Sequence, residues 1–116
     1  MARARIDEQT GRDAVRTVLA GTAERPDLAM AVRYLLQALA EASPGRSVEV
    51  RVPPFGAVQA VEGPRHTRGT PPNVVELDAE TFVAIATGSL VWGEAASAGR
   101  VHASGARSDL SALFPL

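Results

Sequence analysis

The chain has 116 residues, which suits one domain because this length can bury a single core but is too short for two ordinary domains in series. Its hydrophobic share of 46% and charged share of 22% are typical of globular proteins and exclude a disordered or fibrous class. Twelve basic and thirteen acidic residues give a formal net charge of -1, so the chain as a whole does not attract nucleic acid or an anionic membrane surface.

The residue types narrow the possible chemistry further. Cysteine is absent, which excludes disulfides, thiolate nucleophiles and cysteine-ligated metals. The basic start of the chain lacks the apolar segment of a signal peptide, and no apolar run approaches the length that spans a bilayer. We therefore expect a cytoplasmic protein without stable membrane insertion.

Two amphipathic helices are predicted first. One lies between Gly11 and Gly21 and should stop at the second glycine. The other should begin near Pro26, which suits a first helical turn, with Asp27 complementing the positive end of the helix dipole. It should end at the Ser43–Gly45 stop, and its apolar stripe comprises Leu28, Val32, Leu35, Leu36 and Leu39.

After this helix, the spacing of the apolar residues changes from the helical period to every second residue. Residues 47–52 alternate valine with polar residues, which predicts a strand with one face in the core. A turn at 53–56 and a returning strand at 57–61 predict an antiparallel hairpin. Residues 62–72 are rich in Gly, Pro and charge, which indicates a loop or an interrupted edge strand.

A strand at 73–78 should lead directly into a third helix. Asp78 can cap a helix over 79–87, and Gly88 can close it in a left-handed conformation. Gly88 and Gly93 also have the spacing of a phosphate-binding P-loop, but Glu94 follows where that motif needs lysine. A carboxylate there repels phosphate, so the sequence disfavours a nucleotide site at this motif, and Gly93 is expected instead to permit close helix packing.

The end of the chain predicts a short helix, a strand and a final helix. Residues 90–98 should form a helix that stops at Gly99, and residues 100–104 should form a strand with Val101 and Ala103 inward. A last apolar helical face precedes Pro115, which prevents continuation. This order of elements predicts an α+β domain with helices packed on an antiparallel-rich sheet.

Neither metal binding nor catalysis has a convincing set of residues. Zinc sites usually take three or four ligands at short spacings, and His66 and His102 have no second histidine nearby. Ser104, His102 and Asp109 have the residue types of a catalytic triad. No G-x-S-x-G motif precedes the serine, so the sequence does not predict such a triad. We predict no catalytic residue, no metal and no cofactor.

The stretch 78–105 resembles the C-terminal signature of the sterol carrier protein family. In that family an aromatic-bearing helix ends in Gly, a Leu follows, and an Ala-rich helix ends in Gly-Arg-Val before an alternating strand and another Gly turn. Stretches 44–59 and 63–76 look like small stand-alone actinobacterial members, and the resemblance extends from Leu28 to Leu113. The signature positions here are Phe82, Gly88, Leu90, Ala95, Gly99, Arg100, Val101 and Gly105.

The resemblance implies one sterol-carrier-like domain over residues 1–116, with 1–25 as an N-terminal helical extension. It implies a sheet of about five strands, antiparallel-rich and covered by helices on one face. An apolar cleft between sheet and helices would hold a fatty acyl chain, a sterol or another lipid, with the C-terminal helix as part of a lid. The candidates to line it, each of which could alternatively be plain core, are Phe82, Ile85, Trp92, Leu110, Leu113 and Phe114.

A basic loop offers a headgroup site for such a ligand. Arg65 and Arg68 lie between glycines and prolines, and guanidinium groups bind carboxylate or phosphate bidentately. The alternative interpretation is an ordinary solvated loop.

Three functions follow from these features. The first is a non-enzymatic carrier or binding protein for an apolar small molecule or lipid. The second is an accessory domain acting with a separate enzyme, because sterol-carrier-like domains also occur behind thiol-dependent isomerase-like domains in actinobacteria. The third is an interaction module, for example a homodimer, in which a partner's side chains fill the cleft.

Overall fold

The computed structural model describes residues 4–63 and 73–116, and it has the predicted α+β class. Two helices precede a sheet into which two further helices are inserted. In chain order the elements are α1 (Glu8–Leu19), α2 (Arg25–Ala42), β1 (Val48–Val52), β2 (Gly56–Ala60), β3 (Val74–Leu77), α3 (Ala79–Thr87), α4 (Trp92–Ser97), β4 (Val101–Ser104) and a 3-10 turn (Ser111–Leu113).

The described strands form a four-stranded mixed sheet in the order β2-β1-β3-β4. β1 pairs antiparallel with β2 and parallel with β3, and β3 pairs antiparallel with β4. The expectation of about five strands is therefore not met within the described residues, and one of the three pairings is parallel. Alternation of apolar residues specifies which side chains face the core, but it specifies neither the neighbour nor the direction of a strand.

One face of this sheet joins the core, as the alternation predicts. Val48, Val50 and Val52 are buried, whereas the intervening Glu49 and Arg51 lie on the opposite face. Val50 pairs with Val58 on one side and Val75 on the other, so apolar side chains continue across the sheet. α2 and α3 complete the core with the buried residues Ala31, Val32, Leu35, Leu36, Leu39, Phe82, Val83, Ile85 and Ala86.

Side-chain caps set where two of the helices begin. The Asp7 carboxylate accepts from the Thr10 backbone N–H, so α1 begins before the predicted Gly11. The Asp78 carboxylate caps α3 in the same way, and Gly88 closes that helix with a φ of 86°. The predicted cap, bounds and stop of α3 are therefore confirmed.

The N-terminal helix packs tightly on α2 through a glycine. A Cβ atom added at Gly11 would lie 2.1 Å from a ring atom of Tyr34, so only glycine allows this ring to rest on α1. Gln37 exchanges two hydrogen bonds with the backbone of Ile6, at 2.8 and 3.0 Å. Arg5 donates to Glu41 at 2.8 Å, and this hydrogen bond lowers the pKa of the Glu41 carboxyl.

Three details of the C-terminal part differ from expectation. Ala103 is exposed, because β4 is an edge strand beyond most of the helical cover. A Cβ on Gly93 would meet open space, so this glycine does not serve close helix packing. The predicted final helix is reduced to the 3-10 turn Ser111–Leu113.

Candidate apolar ligand pocket

Three aromatic side chains from different parts of the sequence meet beside α3. Phe82 lies on the inner side of α3, Trp92 is the first residue of α4, and Phe114 follows the 3-10 turn. The Phe114 ring stacks on Trp92 with centroids 5.9 Å apart, and it meets Phe82 edge-on at 6.4 Å. Both geometries are favourable for aromatic pairs.

A pocket of about 180 Å³ opens beside this cluster. Trp92 forms one wall and is 8% exposed, and Phe114 forms another. The Ser111 hydroxyl and the Trp92 indole N–H are the polar side-chain groups among the lining residues of this pocket, so its interior favours apolar groups. The lining comprises Ile85, Gly88, Leu90, Val91, Trp92, Gly93, Ser111, Phe114 and Pro115.

The predicted lining residues divide into two groups. Ile85, Trp92 and Phe114 border the pocket. Phe82 and Leu110 are buried in the core, where Phe82 supports the Phe114 ring from behind, and Leu113 packs against the core while partly exposed. The predicted headgroup residues Arg65 and Arg68 lie outside the described residues.

Sequence reasoning missed Leu90, Val91 and Pro115 as lining residues. α4 begins at Trp92 rather than at Leu90, so the two preceding residues are outside the helix and line the pocket. Val91 occupies the N-cap position and is 60% exposed. N-cap positions usually have Ser, Thr, Asp or Asn. The valine at this position was therefore a sequence signal that the residue does not serve to cap the helix.

The C-terminal segment Phe114–Leu116 covers the pocket from one side. The Leu116 backbone N–H donates to the Ala86 carbonyl at 2.9 Å, which holds the segment on the end of α3. A Cβ at Gly88 would lie 3.5 Å from Pro115, so the segment passes close over the helix terminus. The predicted C-terminal helix is not formed here, and the 3-10 turn Ser111–Leu113 and this segment occupy its position.

The pocket contains no charged lining residue, and it does not include Ser104, His102 or Asp109. His102 and Ser104 are exposed on the sheet face opposite the core, because they alternate with Val101 along β4. Asp109 accepts from the Ser111 backbone N–H at 3.0 Å, which lowers the pKa of its carboxyl. Within residues 4–63 and 73–116, no group of three or more metal-ligating side chains is assembled.

None of the helices in the described part of the chain combines the length and apolar character needed to cross a bilayer.

Comparison with known proteins identifies the family. The family model described as a bacterial SCP ortholog matches residues 24–116, which leaves α1 outside the match. No curated protein matches the chain. The matched part contains α2, the whole described sheet, and the pocket between α3, α4 and the C-terminal segment. The chain belongs to the bacterial branch of the sterol carrier protein-like family.

Proposed function

We propose that the protein is a non-enzymatic cytoplasmic carrier for a lipid or another apolar small molecule, such as a sterol or a fatty acyl chain. The ligand lies in the pocket of Ile85, Trp92 and Phe114. Proteins of the sterol carrier type are generally non-catalytic carriers, which supports this function. A pocket without charged or metal-binding lining residues is consistent with binding rather than chemistry.

The apolar lining of the pocket is the observation that carries the proposal. Each methylene that leaves water for such an environment contributes about 0.8 kcal/mol, so an acyl chain gains affinity without a specific polar contact. Binding of this kind is broad in specificity, because a hydrophobic wall discriminates weakly between chains of similar width.

The size of the pocket indicates how a ligand enters. A dry protein cavity of about 150 Å³ holds one benzene molecule, and ligand pockets usually begin at about 300 Å³. With about 180 Å³, the pocket accepts a ring or a chain end. A longer ligand requires the Phe114–Leu116 segment to move outward.

The contacts that hold this segment determine the free energy needed to move it. An aromatic pair contributes about 0.5–1.5 kcal/mol beyond its burial, and a backbone hydrogen bond a similar amount. Phe114 makes two such aromatic contacts, with Trp92 and with Phe82, and the Leu116 backbone N–H makes one hydrogen bond, with Ala86. Several methylenes of ligand are enough to offset their loss.

Native mass spectrometry of the purified protein, followed by organic extraction, tests this function. We expect a substoichiometric mixture of fatty acids, phospholipids or sterols bound to the protein. Gly93→Leu should lower the bound fraction, because Gly93 lines the pocket and a larger side chain there meets no neighbouring atom that prevents it from taking up ligand space, whereas Gly93→Ala should not. A protein that has no bound lipid and takes up neither added acyl chains nor sterols would overturn the proposal.

A further inference from the structure

A second pocket lies between α1, α2 and the end of α3, away from the aromatic cluster. Its volume is about 480 Å³, which is in the range of sites for small organic ligands. It is also about three times the ~150 Å³ cavity that holds benzene. The lining comprises Arg12, Val15, Arg16, Tyr34, Leu35, Ala38, Ala86, Thr87 and Leu116.

The pocket combines an apolar floor with a cationic rim. Val15 and Arg16 follow Arg12 on α1 by three and four residues, so both lie on the same side of that helix as Arg12. Leu35 and Ala86 are buried beneath them. Both charged residues that line the pocket are arginines, so its rim is complementary to an anion.

The guanidinium groups of Arg12 and Arg16 can exchange their acidic partners for a ligand. Arg12 pairs with Glu8 at 2.6 Å, and Arg16 pairs with Asp13. All four of these side chains are more than half exposed, and exposed ion pairs on a helix hold their partners weakly. A ligand carboxylate at the rim can therefore replace one of the acidic partners, and arginine offers it a bidentate contact.

We infer that this pocket binds an amphipathic carboxylate, with its anionic end on Arg12 and Arg16 and its apolar body on Val15, Leu35 and Ala38. α1 lies outside residues 24–116, so the rim of this site comes from a part of the chain that the family model does not match. Most of its lining is separate from the carrier pocket, although both pockets border the Phe114–Leu116 segment. The two pockets touch different residues of the C-terminal segment, Leu116 in this one and Phe114 with Pro115 in the other.

Decanoate is the probe for the test, with decanol as its uncharged counterpart. Binding is measured by titration calorimetry, and the methyl NMR signals of Val15 and Ala38 report whether the probe lies in this pocket. We expect decanoate to shift these signals and to bind more tightly than decanol. Arg12→Gln combined with Arg16→Gln should weaken decanoate binding by about two- to fivefold, which is the contribution of an exposed ion pair.

Two further variants complete the design. Arg46→Gln removes an exposed arginine elsewhere and should leave decanoate binding unchanged. Ala38→Phe fills the floor of the pocket and should abolish the methyl shifts at Val15 for both probes, while circular dichroism verifies its fold.

Two results would overturn the inference. One is decanoate affinity that is the same in the double arginine variant as in the parent protein. The other is a decanoate response of the Trp92 indole signal without any at Val15 and Ala38, which would place the probe in the carrier pocket and leave the proposed function standing. Loss of the proposed function alone would show as an unresponsive Trp92 with the Val15 and Ala38 shifts retained.

Discussion

Gly11 allows the N-terminal helix to lie against α2. It is buried within α1, and the ring of Tyr34 occupies the place where any side chain would begin. The sequence suggests that glycines end helices, and Gly88 ends α3 with a φ of 86°. The role of Gly11 was not predictable, because it depends on a tyrosine on another helix and not on any local pattern.

Gly11→Ala should therefore destabilise the protein although alanine is the better helix former. Overpacking usually costs about 1–3 kcal/mol, which exceeds the roughly 1 kcal/mol gained in helix propensity. Urea unfolding measures the difference, and adding Tyr34→Ala should remove most of the extra cost. Gly93→Ala is the matched control, since its Cβ meets open space, and it should be neutral or slightly stabilising. Equal effects of the two glycine substitutions would show that the Tyr34 contact is not tight.

At the scale of elements, α3 follows its sequence signals more closely than the sheet does. Its cap at Asp78, its bounds and its stop at Gly88 are local features, and all three were predicted. The positions of β1 and β3 were also predicted from alternation, but their parallel pairing was not. Strand pairing is decided by packing between distant segments, which a single strand's pattern does not encode.

Asp78→Ala should cost roughly 1–2 kcal/mol of stability, because it removes the cap of the helix that carries Phe82 and Ile85. The Asp78 carboxylate accepts from the Thr81 N–H at 2.8 Å and from its hydroxyl at 2.9 Å. Asp78→Asn keeps an acceptor and should cost clearly less in the same thermal unfolding experiment. If the two variants unfold alike, capping by this side chain does not stabilise α3.

At the scale of the whole molecule, the order of elements predicted the fold class, and the family resemblance suggested which residues would border the pocket. Ile85, Trp92 and Phe114 line it, whereas Phe82 and Leu110 are core. Helical spacing identifies residues that face inward, but it does not distinguish those that meet another side chain from those that border a void. That distinction depends on where the C-terminal segment crosses α3.

Under the proposed function, an apolar ligand enters beside Trp92 by displacing Phe114. Trp92 is the one tryptophan of the chain, so its fluorescence reports on this pocket alone. Phe114→Ala should enlarge the pocket, remove the stacked ring and tighten the binding of decanol relative to the parent protein.

The most direct measurement is the Trp92 emission during a titration with decanol, made on the parent protein and on Gly93→Leu. The carrier function predicts a saturable change in emission in the parent protein and a weaker one in the variant with the larger side chain on the pocket lining. Decanol binding that calorimetry detects while the Trp92 emission stays constant would contradict it.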